Sequence, residues 1–219
     1  MSVSEKFELI ADKVYEEGQK SEYDRFWDNF QQSGKRTNYY VAFYGEGWNN
    51  TNFKPKYQLN PTSLNNTFAS SKISGDFRKL CELDTSNCTT VASAFSGCSE
   101  LTHLGVLDLL KITASTAICG DCPKLEYVEK IILNTNGKYR MIHFNNDIAL
   151  KEIRFEGKMG GGDVSFANSP NLSYKSLESI KKALAEITTT FILTLHADAK
   201  AKLTDADIAE ITQKGWTLA

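Results

Sequence analysis

The stretch "AFSGCSELTHL", residues 94–104, decides the fold, because it recurs along the chain in degenerate form. Its apolar side chains, Phe95, Cys98, Leu101 and Leu104, stand three residues apart, a spacing that one face of a helix would also show. The glycine and the two serines between them disfavour a helix interior. The stretch therefore indicates a short repeated unit rather than a turn of helix.

The unit begins at five points along the chain, separated by 22 to 27 residues: Phe68, Phe95, Cys119, Phe144 and Phe166. In the last four copies a leucine follows six residues later, and in the middle copies an extended run follows the leucine. A short period that carries one strand and one irregular turn is typical of a stacked solenoid. We expect the following side chains of these copies to point into the core: Phe68, Phe95, Cys98, Leu101, Cys119, Cys122, Leu125, Phe144, Leu150, Phe166 and Leu172.

On these residues the chain resembles the BspA-like leucine-rich repeats of bacteria. Their recurring phrase is an aromatic residue, two small residues, a cysteine, two further residues and a leucine. "AFSGCSEL" matches this phrase, and "LDTSNCTTV", residues 83–91, is similar to the family's other recurrent phrase. The resemblance covers roughly residues 60 to 172. Together with the period, it implies an α+β fold: a leucine-rich-repeat-like solenoid of about five short repeats, with an N-terminal helical arm and an α/β C-terminal cap.

The flanking segments carry a second resemblance. "SEYDRFWDNFQQSGKRTNYYVAFYGEGWNNTNFKPKY", residues 21–57, and the tail from residue 193 are similar to segments that flank such repeats in tail-region proteins of phages and prophages. These phages infect Gram-positive gut bacteria. The resemblance implies a protein of the virion tail.

The chain divides into four predicted regions: a helical arm at 1–34, an aromatic N-terminal cap at 35–60, the BspA-like repeat solenoid at 61–172, and a helix-strand-helix C-terminal cap at 173–219. In the arm, Phe7, Ile10 and Val14 follow seven-residue spacing and predict contacts between copies of the chain in a homo-oligomer. The aromatic residues of the second region either cover the first coil of the solenoid or form a carbohydrate platform.

The C-terminal region shows clear helix and strand signals. Ser173 is placed to cap a helix whose apolar stripe consists of Leu177, Ile180, Leu184 and Ile187. "TFILTL", residues 190–195, predicts a strand. Thr204 and Asp207 have the spacing of a capping box, which predicts a second helix.

Composition and charge exclude several classes of protein. The 219 residues carry a net charge of -2, which gives no attraction to nucleic acid or to an anionic membrane. No apolar run approaches the ~20 residues that span a bilayer. The first residues are charged and lack the apolar segment of a secretory signal. We therefore expect synthesis in the bacterial cytoplasm, with assembly into a virion tail if the protein belongs to a phage.

The five cysteines are expected to be reduced, because the chain shows no export signal and their number is odd. Cys119 and Cys122 have a spacing found in zinc sites, but a second pair of ligands is missing from the sequence nearby. Both cysteines also stand at repeat positions that point inward. They are therefore predicted to be core residues, and no metal or cofactor is expected.

No catalytic constellation can be recognised. His103, His143 and His196 each lie in or beside a predicted strand, without a serine or cysteine nucleophile in a known motif. The carboxylates of Asp205 and Asp207 are explained by the first turn of a helix. The sequence therefore predicts a protein that is not an enzyme, and a glycosidase acting on cell-wall sugars is the least favoured alternative.

A binding face is expected on the outward residues of the repeat strands: Thr102, His103, Glu126, Tyr127, Lys151 and Glu152. The leading hypothesis is a non-enzymatic phage or prophage tail-associated structural and recognition protein. It would bind a protein or a cell-surface glycan, together with other virion proteins, and neither nucleic acid nor a membrane interior. The alternative is a bacterial cell-surface adhesion module of the BspA-like type.

Overall fold

A computed structural model describes residues 38–55, 58–112, 117–136 and 142–219. The predicted N-terminal arm, with Phe7, Ile10 and Val14, lies outside the described residues, as does the homo-oligomer contact assigned to it.

Nine strands are formed by the described residues: β1 (Gly75–Asp76), β2 (Leu101–Asp108), β3 (Cys119–Gly120), β4 (Tyr127–Ile132), β5 (Ile142–Asn145), β6 (Glu152–Glu156), β7 (Val164–Phe166), β8 (Phe191–Leu195) and β9 (Trp216–Leu218). They build two sheets, a first sheet of order β1-β2-β4-β6 and a second sheet of order β3-β5-β7-β8-β9. All strand pairings within the two sheets are parallel. From β2 to β7 the chain alternates between the two sheets. Each strand from β2 to β5 therefore pairs with the second strand after it in chain order, as β2 does with β4 and β3 with β5.

The prediction of an α+β, leucine-rich-repeat-like solenoid is wrong. Two parallel sheets with few helices make an α/β-like fold without a solenoid. Segments that the repeat pattern assigned to irregular turns are strands of the second sheet, namely β5 around Phe144 and β7 around Phe166. The physical reason is their short alternation of β-branched or aromatic residues with polar ones, which suits a half-buried strand. The segment predicted as a separate C-terminal cap continues this sheet through β8 and β9.

The eleven side chains expected in the core are all buried, each with at most 1 % of its surface exposed. Phenylalanine rings stack in a column between the sheets. The ring centroids of Phe43 and Phe68 are 5.3 Å apart, and those of Phe68 and Phe95 are 5.1 Å apart with the rings nearly parallel. Phe53 and Phe77 pack edge-on against this column. Tyr39, Phe43 and Phe53 of the 38–55 segment therefore extend the core, whereas Tyr40 and Tyr44 are exposed.

Three helices follow β7: α1 (Tyr174–Ala183), α2 (Ala197–Lys200) and α3 (Asp205–Gln213). Ser173 caps α1 as predicted, and Thr204 with Asp207 forms the predicted capping box of α3. The helix α1 ends earlier than its apolar stripe implied. Leu184 is already extended and forms a parallel bridge with Met159.

Helix α1 covers the open edge of the first sheet. The Ser176 hydroxyl accepts a hydrogen bond from the Ile153 backbone N–H at 2.9 Å, and the Ser179 hydroxyl accepts one from Phe155 N–H at 2.8 Å. Two edge donors of β6 are thus satisfied by side chains of a helix. These two hydrogen bonds hold α1 beside β6 at the edge of the first sheet.

Candidate binding groove on the first sheet

Three of the predicted face residues come together across neighbouring strands. His103 on β2 is in register with Tyr127 on β4, which is in register with Glu152 on β6. The His103 and Tyr127 rings stack with centroids 4.6 Å apart and planes 17° apart. The row exists because side chains at matching positions of parallel strands lie side by side on one face of a sheet.

These residues line a groove of about 490 Å³ on the outer face of the first sheet, which we call the outer groove. Its defining residues are His103, Tyr127, Glu129, Glu152, Arg154 and Lys175. Glu129 and Arg154 follow Tyr127 and Glu152 by two positions, so strand alternation places them on the same face. Lys175 arrives from the first turn of α1.

Arg78 closes one end of the groove. Its aliphatic stem passes over Gly105, where a Cβ atom would lie 3.0 Å from Arg78 Cγ. Its guanidinium bonds Asp76 Oδ2 at 2.7 Å and Glu129 Oε2 at 3.1 Å. The hydrogen bonds from Arg78 lower the pKa of Asp76, and Arg78 itself has its pKa raised by Asp76 and Glu129. Gly105 on β2 thus makes room for the aliphatic stem of Arg78, whose guanidinium links β1 with β4.

The other predicted face residues lie at the margin. The Thr102 hydroxyl and His103 Nδ1 are 2.7 Å apart, which holds the imidazole ring in place. Glu126 and Lys151 form a cross-strand ion pair at 3.1 Å beside the groove. Sequence reasoning missed four groove residues. Glu129 and Arg154 could have been found from strand alternation, whereas Arg78 and Lys175 come from elements whose position the sequence did not indicate.

The buried thiols serve as hydrogen-bond donors to backbone carbonyls. Cys98 Sγ donates to the Phe68 carbonyl and Cys122 Sγ donates to the Phe95 carbonyl, each at 3.0 Å. Burial raises the pKa of Cys98 to about 12, so the thiol keeps its proton. All five cysteines are free thiols. Within the described ranges, no group of three His, Cys, Asp or Glu side chains is arranged to hold a metal ion.

One buried acid lies next to these thiols. Asp147 is fully buried, and its Oδ1 accepts a hydrogen bond from the Cys122 backbone N–H at 2.9 Å. Its Oδ2 has no hydrogen-bond partner among the residues that the structure describes. Burial raises the pKa of Asp147 to about 7, and the nearby Asp121 carboxylate adds to that shift. Burial favours the protonated form of Asp147, because a buried neutral acid costs less free energy than a buried charge.

Comparison with protein-family models, curated proteins and solved structures finds no match to this chain. Among the helices of the described residues, none has the length and apolar character needed to cross a membrane.

Proposed function

We propose that this protein is a non-enzymatic recognition protein that binds a cell-surface glycan in the outer groove. The observation that carries the proposal is the combination of a stacked His103–Tyr127 pair with charged groups that have no ion-pair partner among the described residues. Aromatic rings offer an apolar surface to the C–H face of a sugar, and charged side chains exchange hydrogen bonds with its hydroxyl groups.

A glycan is favoured over a protein ligand by the polarity of the groove. The core of a protein–protein interface is depleted in charged residues and rich in apolar ones. The outer groove instead presents Glu129, Glu152, Arg154 and Lys175 around one aromatic pair. Catalysis is not part of the proposal, because Glu129 is ion-paired with Arg78, which suits a fixed charge better than a proton-donating acid.

The groove is tested by replacing one tyrosine at a time. We expect Tyr127→Ala to abolish binding of the labelled protein to bacterial cells and to their isolated cell-wall glycan, measured by sedimentation. The matched control is Tyr44→Ala, because Tyr44 is 55 % exposed and lies outside the groove. If the Tyr44 variant loses binding and the Tyr127 variant keeps it, the aromatic 38–55 segment is the carbohydrate platform and the groove assignment is wrong.

The place of action that we propose is the tail of a phage or prophage particle. The support is the resemblance of residues 21–57 and of the tail from residue 193 to flanking segments of tail-region proteins. Mass spectrometry of purified particles from a strain that carries the gene should detect the protein in fixed proportion to other tail proteins. Its absence from particles, with presence on the host surface, would favour the alternative adhesion module.

A further inference from the structure

Two cations of the outer groove differ from other cations on or beside the first sheet. Lys130 pairs with Glu156 at 3.0 Å, and Lys151 pairs with Glu126 at 3.1 Å, both across neighbouring strands. Arg154 and Lys175 are both exposed and line the groove, and neither has a carboxylate partner in the part of the chain that the structure describes. Their charges are therefore left for a ligand.

The backbone places Arg154 and Lys175 next to each other. Their chain neighbours, Ile153 and Ser176, are joined by the hydrogen bond from the Ile153 N–H to the Ser176 hydroxyl. Arg154 lies two residues after Glu152 on the same face of β6, and Lys175 lies in the first turn of α1. Both cations line the outer groove, so an anion bound between them would be attracted by both charges.

Glu152 and Tyr127 complete the recognition chemistry. Glu152 forms no ion pair among the described residues and lies next to Tyr127 in the register of β4 and β6. A carboxylate in this position accepts hydrogen bonds from sugar hydroxyl groups, while the ring packs against a sugar face. The outer groove thus offers two free cations, one free carboxylate and one aromatic surface.

We infer that the outer groove selects an anionic sugar residue, whose carboxylate or phosphate lies between Arg154 and Lys175 while its hydroxyl groups bond Glu152. This inference rests on the proposed function and adds the charge of the ligand. Charge-assisted hydrogen bonds from a guanidinium to a carboxylate or phosphate are stronger than those between neutral groups.

The experiment uses the full-length protein and four polymers. The first pair is a glucuronate-containing polysaccharide and the same polymer after its carboxyl groups are reduced to alcohols. The second pair is a sugar-phosphate polymer and the same polymer after removal of its phosphates. We expect binding to at least one anionic polymer and loss of that binding for its neutral derivative, and the pair that responds identifies the anion. Affinity should fall as salt is raised.

Variants connect the selectivity to the two cations. Arg154→Gln and Lys175→Gln should each weaken binding to the anionic polymer by about tenfold. Lys182→Gln is the matched control, because Lys182 is an exposed cation at the other end of α1 and should leave affinity unchanged.

The outcomes separate the inference from the proposed function. Equal binding to an anionic polymer and to its neutral derivative, with loss only in Tyr127→Ala, would overturn the inference and leave glycan binding in place. Equal effects of the Arg154, Lys175 and Lys182 variants would also overturn it, because the response would then follow net charge. No binding of the wild-type protein to any polymer or to cells would overturn both.

Discussion

At the residue scale, the position three residues after the start of each copy shows which side chains the buried interior accommodates. It holds small or polar side chains that are all at most 1 % exposed: Ser71, Cys98, Cys122, Asp147 and Ser169. The thiols of Cys98 and Cys122 donate to carbonyls, and the Ser169 hydroxyl donates to the Asp147 carbonyl at 3.2 Å. A buried polar group at this position is stable when it donates to the backbone of the preceding strand segment. Asp147 is the exception, since one oxygen of its carboxyl has no partner within the described part of the chain.

The inward leucines should determine the stability of the fold. Leu101→Ala should lower the free energy of unfolding by about 2–5 kcal/mol, because Leu101 is fully buried and its removal leaves a cavity. Leu110→Ala deletes the same atoms from a side chain that is 48 % exposed, and should change the free energy of unfolding by less than about 1 kcal/mol. Urea denaturation of both variants measures the difference. Equal losses would contradict the assignment of Leu101 to the core.

At the scale of elements, α1 acts as the covering element of the first sheet. Ser176 accepts from the Ile153 N–H and donates to the Lys151 carbonyl at 3.2 Å, so one hydroxyl satisfies two edge groups. Serine is a weak helix former, and its presence at two successive turns of α1 is explained by this edge contact. The helix therefore occupies the place beside β6 where a further strand would otherwise pair.

Ser176→Ala should lower the free energy of unfolding by about 1–3 kcal/mol, because it leaves the buried Ile153 N–H without an acceptor. Hydrogen exchange should quicken at the Ile153 amide and remain slow at the β4 amides. Ser99→Ala is the control, since the Ser99 hydroxyl makes no hydrogen bond within the described residues. Unchanged exchange at Ile153 would show that the hydroxyl does not protect this edge.

Sequence reasoning succeeded where the signal is local. The caps at Ser173 and Thr204, the strand β8 and the inward side chains all follow from residue types at fixed spacing. It failed for β7, which has only three residues. Strands so short gain their hydrogen bonds from partners more than twenty residues away, and a local pattern carries no information about those partners.

At the scale of the whole molecule, the groove combines residues that the sequence pattern predicted with residues that it did not indicate. His103, Tyr127 and Glu152 were predicted as parts of one face because they hold equivalent positions in successive copies, and these positions are in register. Arg78 and Lys175 reach the same groove from a 3₁₀ turn and from a helix, so their convergence depends on how that turn packs against β2 and how α1 packs against β6. The contribution of these two cations to the charge of the groove was therefore not indicated by the sequence pattern.

The whole molecule should also show a stability maximum at mildly acidic pH, set by two buried carboxyl groups with opposite shifts. The hydrogen bond from Lys181 holds the pKa of Asp207 well below its usual range. Its stabilisation is present above the unfolded pKa of about 3.9 and is lost as pH falls through the folded value. The pKa of Asp147 is raised to about 7 by burial. Its stabilisation is complete below about pH 3.9 and is lost progressively as pH rises to about 7.

Wild-type protein should therefore lose about 1.4 kcal/mol of unfolding free energy per pH unit between about pH 5 and 7 through Asp147 alone. Asp147→Asn keeps an acceptor for the Cys122 N–H and removes the ionisation. This variant should therefore lose the decrease in stability between about pH 5 and 7 (the alkaline limb) and keep the decrease at low pH (the acid limb). Asp205→Asn, at an exposed carboxyl in the first turn of α3, is the control and should leave both limbs unchanged. Urea denaturation at half-unit pH steps measures all three proteins. A wild-type curve that is flat from pH 5 to 7 would mean that the Asp147 carboxyl is ionised in the folded protein, with a partner for its second oxygen.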